Sequence, residues 1–396
     1  AMACAMGASV VYAFSAYYVA FQNATGYTNT QMGLLLSVLG IASTVFYLPN
    51  GYLADRFDVK KQTIIGVIGT GLIAVPIAFF PSFPVMITLY ILYAVFGVLL
   101  GNSAVKMISM LASDENQGKM MSVRAIGKTL PLLIISLCGS GLLAMLSDET
   151  ALRVTLFLYG GLAILGAIIA AVTFDPVQKT QSGKKSTFSF RAYFSVMKRG
   201  DVWLIGIIGF CAYCASAGVT YLQPYLAEIF GISSAVSSAL GIIAKNCTVV
   251  AAPIITWFGT RKGMSITRAL AFGMSGAAVC FIIYMLIPSQ SLILSAAMLL
   301  YFLSAMVIMG AWALMYVPVS ESGIPIEIVG TAIGVVSMIG FCGDIFYWTI
   351  CGGFIDKFGI TGYNYVFGLT AALMVIGAVC CFIIAKRVKA HRASLK

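Results

Sequence analysis

Five charged residues stand inside long apolar runs: Lys106, Arg124, Lys128, Lys245 and Asp344. In hydrocarbon each would cost about 2.5 to 3.5 kcal/mol on insertion scales, so each needs a chemical reason to be there. Lys128 lies ten residues beyond Gly118, about 15 Å of helix rise or half of a ~30 Å hydrocarbon core. Arg124 stands one turn earlier on the same face. Lys106 is about one and a half turns from the nearer end of its run, where its stem could carry the ammonium to headgroups. Lys245, followed by Asn246, is again central. Four cations and one acid in apolar surroundings attract a small organic anion. Carboxylate, phosphate, sulfonate and sugar acid stay open, because Arg binds oxyanions bidentately and Lys is less selective. An internal salt bridge with Asp344 is the other use for either lysine.

Tyr17, Tyr221 and Gln223 could bind the remainder of a hydroxylated ligand. Tyr18, Gln22, Asn102, Tyr213, Trp312 and Tyr316 fit packing or an interfacial belt equally well. Asp344 has two possible roles: a counter-ion that pins Lys245 or Lys128 until substrate displaces it, or a carboxylate that carries a coupling proton.

The elements that must position these groups follow from composition. Of 396 residues, 60% are hydrophobic and 9% charged, against about a quarter charged in a soluble domain. A soluble globule is excluded. At ~20 apolar residues per crossing the chain divides into twelve transmembrane helices, near 1–22, 30–54, 62–80, 84–112, 119–146, 151–174, 201–227, 234–258, 264–287, 291–318, 329–352 and 363–385. The predicted organisation is an N-terminal six-helix bundle at 1–174, a cytoplasmic linker at 175–200, a C-terminal six-helix bundle at 201–385 and a cytoplasmic tail at 386–396. The linker is rich in Lys, Ser, Thr and Gln and reads as flexible. Shifting the first half by 204 residues places Pro49 on Pro253 and one basic turn on another, a weak internal repeat that suits a transporter built from two like halves.

The connectors alternate in charge. Eighteen of the 24 basic residues fall on one side, in the turns holding Arg56, Lys119 and Arg261, the linker and the tail; Arg153 and Lys357 fall on the other. The positive-inside rule makes the basic side cytoplasmic and places both termini there. The net charge of +11 is therefore mainly an orientation signal rather than a nucleic-acid footprint. The ten cysteines lie in apolar segments and read as packing residues, Cys211 and Cys214 included. The one histidine, His391, is in the polar tail. With no buried His and one buried acid, neither an enzyme nor a metal centre is expected, and no cofactor. The run at Ala1 has no charged flank and is not read as a signal peptide; a short segment is expected to precede it.

After the second run the chain reads Gly51-Tyr52-Leu53-Ala54-Asp55-Arg56-Phe57-Asp58-Val59-Lys60-Lys61. This resembles the signature loop between helices 2 and 3 of the major facilitator superfamily, G-x-L-a-D-R-x-G-R-K, with Asp58 in place of the usual Gly and Val59 in place of a basic residue. Gly51 would let its helix approach a neighbour closely, and Asp55 could cap a helix and hold Arg56. The resemblance implies an all-α membrane protein of that fold in a bacterial inner membrane, a monomer that moves a small molecule by alternating access. It implies a cytoplasmic gate at Gly51, Asp55 and Arg56. Because helices 5 and 8 of the family face each other, it also puts Lys128 and Lys245 on opposite walls of one cavity. A second stretch, Gly353-Phe354-Ile355-Asp356-Lys357-Phe358-Gly359, looks like the motif but is placed in an external turn and taken as coincidence.

The substrate expected is an anion moved by exchange, with Asp344 as counter-ion, since the first helix offers no partner acid and helix 11 of the family is more often a binding wall. The alternatives are proton-coupled symport of a sugar-like or other small polar solute, with H⁺ as a further partner, and multidrug efflux, which predicts acids where Lys128 and Lys245 stand.

Overall fold

The computed structural model describes residues 11, 13–56, 58–111, 132–173, 196–261, 264–286, 293–322, 324 and 326–394; side chains at 13–14, 47–56, 59, 101–111, 320, 326–331 and 390–394 fall outside that description. Among the described residues there is helix and no strand. The first set is α1 (Ala13–Ala16), α2 (Tyr18–Thr25), α3 (Asn29–Arg56), α4 (Val59–Ile77), α5 (Phe83–Leu111), α6 (Leu132–Met145) and α7 (Asp148–Thr173). The second is α8 (Gly200–Thr220), α9 (Leu222–Phe230), α10 (Ser234–Asn246), α11 (Thr248–Thr260), α12 (Ile266–Leu286), α13 (Leu294–Ala313), α14 (Val317–Glu321), α15 (Ile326–Phe341), α16 (Tyr347–Phe358) and α17 (Ile360–Ser394). A 3₁₀ turn, Cys342–Ile345, separates α15 from α16. Nine stretches among the described residues are long and apolar enough to cross a membrane.

Helix faces follow the logic of a lipid solvent. On α7, Val154, Phe157, Leu158, Leu165, Ile168 and Val172 are exposed, while Leu156, Tyr159, Ala163 and Ala167 are buried. Branched apolar side chains point outward, where hydrocarbon accepts them, and smaller residues make up much of the inner face, so that backbones approach.

The chain forms two compact units: Ala1–Gly183 with Ile232–Ile242, and Lys184–Gly231 with Ile243–Lys396. In the first, α4 packs on α5 and α7, α5 on α3, and α2 on α7. The α4–α7 contact is set by two glycines: a Cβ at Gly160 would lie 2.9 Å from the Gly71 carbonyl oxygen and 3.1 Å from the Ala74 Cβ. Gly160→Leu must push these helices apart, at about 1 to 3 kcal/mol for overpacking. The detergent-purified variant is expected to melt lower, whereas Gly161→Leu, whose Cβ meets open space, should melt as the parent does. Between α2 and α3 the Tyr27 hydroxyl donates to the Pro81 carbonyl at 2.5 Å, and burial pushes its phenol pKa up.

In the second unit α8 packs on α13, α15 and α17, and α12 on α11, α13 and α17. Tyr225 forms its aromatic centre, edge-on to Tyr284, Tyr363 and Phe367 with centroids 5.8, 5.4 and 5.1 Å away.

One expectation is corrected. Gly353–Phe358 is not an external turn but the last turns of α16, and α17 starts at Ile360. The Gly352-Gly353 pair reads as a breaker by the habits of soluble proteins, yet glycine is common in helices meant for lipid. The break falls at Gly359, whose φ of 57° and ψ of −134° only glycine adopts without strain. At the C-terminal end α17 continues as helix through 386–394.

Candidate functional site

From Gly200 onward, helices of the described residues are broken at Tyr221, at Cys247, at Leu314–Tyr316 and at the 3₁₀ turn around Asp344. Two breaks have a proline as cause. Pro224 has no N–H for the Thr220 carbonyl, and Pro318 none for that of Leu314. Thr220 Oγ1 is buried without a hydrogen-bond partner among the described residues. Discontinuous helices expose backbone polar groups inside a membrane protein, and in transporters they mark substrate and ion sites.

The candidate residues collect at these breaks. Lys245 and Asn246 end α10, both half-buried, and the Lys245 carbonyl accepts from Thr248 Oγ1 at 3.2 Å. Gln223 is buried in the first turn of α9. Tyr221 is buried at the α8–α9 break, and its hydroxyl donates to the Trp348 carbonyl at 2.8 Å.

Asp344 sits in the 3₁₀ turn. Its Oδ2 accepts from the Tyr213 hydroxyl at 2.6 Å and its Oδ1 from Trp348 Nε1 at 3.0 Å. Tyr213 is braced edge-on by Phe341 at 4.9 Å. The carboxylate is thus held by two neutral donors. Ion pairs among the described residues include Arg153–Glu149 and Arg199–Asp201; the partners of the Asp344 carboxylate are instead Tyr213 and Trp348.

Tyr17 marks the break between α1 and α2 in the first unit. It is buried, and its hydroxyl donates to the Ser136 carbonyl at 2.7 Å, while Ser136 Oγ and the Tyr159 hydroxyl share a 2.8 Å bond. Both Tyr17 and Tyr221 therefore tie a helix break to a neighbouring backbone.

Arg124 and Lys128 lie outside the described residues. Lys106 is in α5 and Gly51, Asp55 and Arg56 are in the last turns of α3, with side chains outside the description. At that turn the described capping carboxylate is Asp58, one of the residues that depart from the motif: its Oδ1 accepts from the Lys60 N–H at 2.8 Å.

Two residues of consequence were not singled out from the sequence. Trp348 stands one turn beyond Asp344, a spacing that could have flagged it. Glu321, at the end of α14, caps α12: Oε1 accepts from the Ile266 N–H at 3.1 Å, and Oε2 from the Thr267 N–H at 3.0 Å and hydroxyl at 2.7 Å. A carboxylate 54 residues from Thr267 in sequence carries no local signal. Glu321→Ala strands three donors and should destabilise by about 2 kcal/mol, read as a lower melting temperature that Glu321→Gln partly restores.

Interrupted apolar helices with ionisable groups at the breaks are the make-up of a membrane transporter. The chain belongs to the major facilitator superfamily, whose family model, described as Major Facilitator Superfamily, matches residues 1–347. It is similar to "Inner membrane protein YqcE" of Escherichia coli strain K12, 26% identical over 91% of this chain and 87% of that one. It is also similar to "Inner membrane protein YihN" of the same organism, 24% identical over 96% and 92%. In fold it resembles the crystal structure of a bacterial homologue of the human lysosomal transporter Spinster, with a TM-score of 0.75 at 15% identity, covering 98% of this chain and 95% of that one. The protein is a multi-pass transporter of a bacterial inner membrane and not an enzyme.

Proposed function

We propose that the protein carries a small organic anion, a carboxylate, phosphate, sulfonate or sugar acid, by alternating access, with Lys245 as a binding cation and Asp344 as the group that takes up a coupling proton. The observation that carries this reading is the position of Lys245 and Asn246 at the break between α10 and α11, inside a 27-residue apolar span. A lysine there has an insertion penalty to offset, and an anionic ligand offsets it.

The role given to Asp344 rests on its partners. As a counter-ion, Asp344 would be expected to have a cation as its partner; the partners of its carboxylate among the described residues are Tyr213 and Trp348. These offer fixed neutral donors, which suit a carboxylate that cycles between charged and neutral forms. Bringing a proton in with each anion also offsets the work of moving negative charge against an inside-negative potential. Lys128 and Arg124 are proposed as further cations of the same site, and Gly51, Asp55 and Arg56 as the cytoplasmic gate. Anion exchange, which the buried cations alone suggest, is the rival outcome of the same experiments.

A thermal-shift screen of purified protein against small carboxylates, phosphates, sulfonates and neutral sugars tests the substrate class. A bound ligand raises the melting temperature by mass action. At least one anion is expected to do so in the parent and not in Lys245→Ala; a shift from neutral sugars alone contradicts the proposal.

A further inference from the structure

Away from the helix breaks, the second unit holds a cavity of about 370 Å³ lined by Arg199, Asp201, Ser322, Ile384 and Arg387, among others. It lies where α8 begins and α17 leaves its apolar stretch: the spans run from Gly200 and up to Lys389. Both arginines therefore stand at the boundary between hydrocarbon and headgroups, on the side that the positive-inside rule makes cytoplasmic.

The charge in the cavity is unbalanced. Arg199 gives Nε and Nη2 to the Asp201 carboxylate at 3.1 and 2.7 Å, which leaves three of its five N–H donors for another acceptor. Arg387 is exposed and makes no hydrogen bond or ion pair among the described residues. The described lining thus carries one carboxylate and two guanidinium groups, with Lys198, Lys386 and Lys389 adjacent in sequence.

The surroundings are those of a lipid rather than of a soluble ion. Trp203, one turn into α8, exposes its ring while its Nε1 donates to the Met197 carbonyl at 2.7 Å, the habit of an interfacial tryptophan. Toward the membrane from Arg387, the outer face of α17 presents Val379, Phe382 and Ile383, all exposed. A headgroup in the cavity would have its acyl chains beside that stripe.

We infer that this cavity binds the phosphate headgroup of an anionic phospholipid of the cytoplasmic leaflet, held by the free donors of Arg199 and by Arg387, with the acyl chains along Val379, Phe382 and Ile383. Guanidinium groups favour phosphate oxygens bidentately, and basic pockets between helices on this side of a membrane take anionic headgroups.

Native mass spectrometry of the detergent-purified full chain tests this, with phosphatidylglycerol, phosphatidylcholine and inorganic phosphate as separate probes. The parent should retain one phosphatidylglycerol in preference to phosphatidylcholine. Arg387→Gln should weaken that retention about fivefold, the worth of one basic residue at a membrane surface, and Arg387→Lys should restore part of it. Equal retention by Arg387→Gln, equal binding of phosphatidylcholine, or displacement of the lipid by inorganic phosphate at matching concentration would each overturn the inference. Arg387 is exposed, so the variant's melting temperature in lipid-free detergent should match the parent's.

Discussion

Lys245→Ala is expected to lower anion uptake into proteoliposomes about a hundredfold, the loss of one charge-assisted hydrogen bond of up to ~3 kcal/mol. The ammonium would contact the substrate in both the bound and the translocating state, so the loss should appear mainly as weaker binding. Lys245→Arg should recover part of it, since the charge is kept while the geometry changes from a point donor to a planar fork. Folding should survive, because taking a charge out of an apolar span also removes its insertion penalty. A lysine kept only for structure would behave in the opposite way, with a lower melting temperature and transport that scales with the amount of folded protein. Lys128→Ala is expected to give the same loss of uptake. Undiminished transport in both variants would remove the basis for an anion site.

The second large effect is at Asp344. Asn has the shape to accept from Tyr213 or Trp348 but has no carboxyl proton to gain or lose. Asp344→Asn should abolish accumulation driven by a pH gradient while leaving counterflow, the swap of labelled for unlabelled anion, close to the parent rate. Counterflow needs the binding site and the conformational cycle but no net proton movement. If Asp344 were instead a counter-ion, neutralising it would tighten anion binding and slow release, and counterflow would fall as well.

Much of this site is legible along the chain because lipid makes charge conspicuous. Lys245 and Asp344 stand out within apolar runs, and the motif around Asp55 and Arg56 points to the family from eleven residues. What could not be read is pairing across sequence. Tyr213 meets Asp344 over 131 residues, and Glu321 reaches α12 from the far end of another span. Neither contact has a spacing rule behind it. The interruptions at Tyr221 and Leu314–Tyr316 had a local cause in Pro224 and Pro318, each four residues beyond a carbonyl to which it cannot donate the helical N–H bond, and could have been drawn from that offset. The 3₁₀ turn at Asp344 contains no proline. Gly353–Gly359 misled for a different reason: its glycines signal a turn in water, whereas in a membrane helix the unsatisfied backbone of a turn is the costlier choice.

The central claim, proton-coupled movement of an anion through the site at Lys245 and Asp344, is tested most directly by an acid-outside pH jump on proteoliposomes holding no internal anion, with a labelled anion that stabilises the purified protein. Proton coupling predicts accumulation above equilibrium that a protonophore collapses and that Asp344→Asn lacks. Uptake that occurs only when a counter-anion is loaded inside, and that ignores the protonophore, would contradict it and establish exchange in its place.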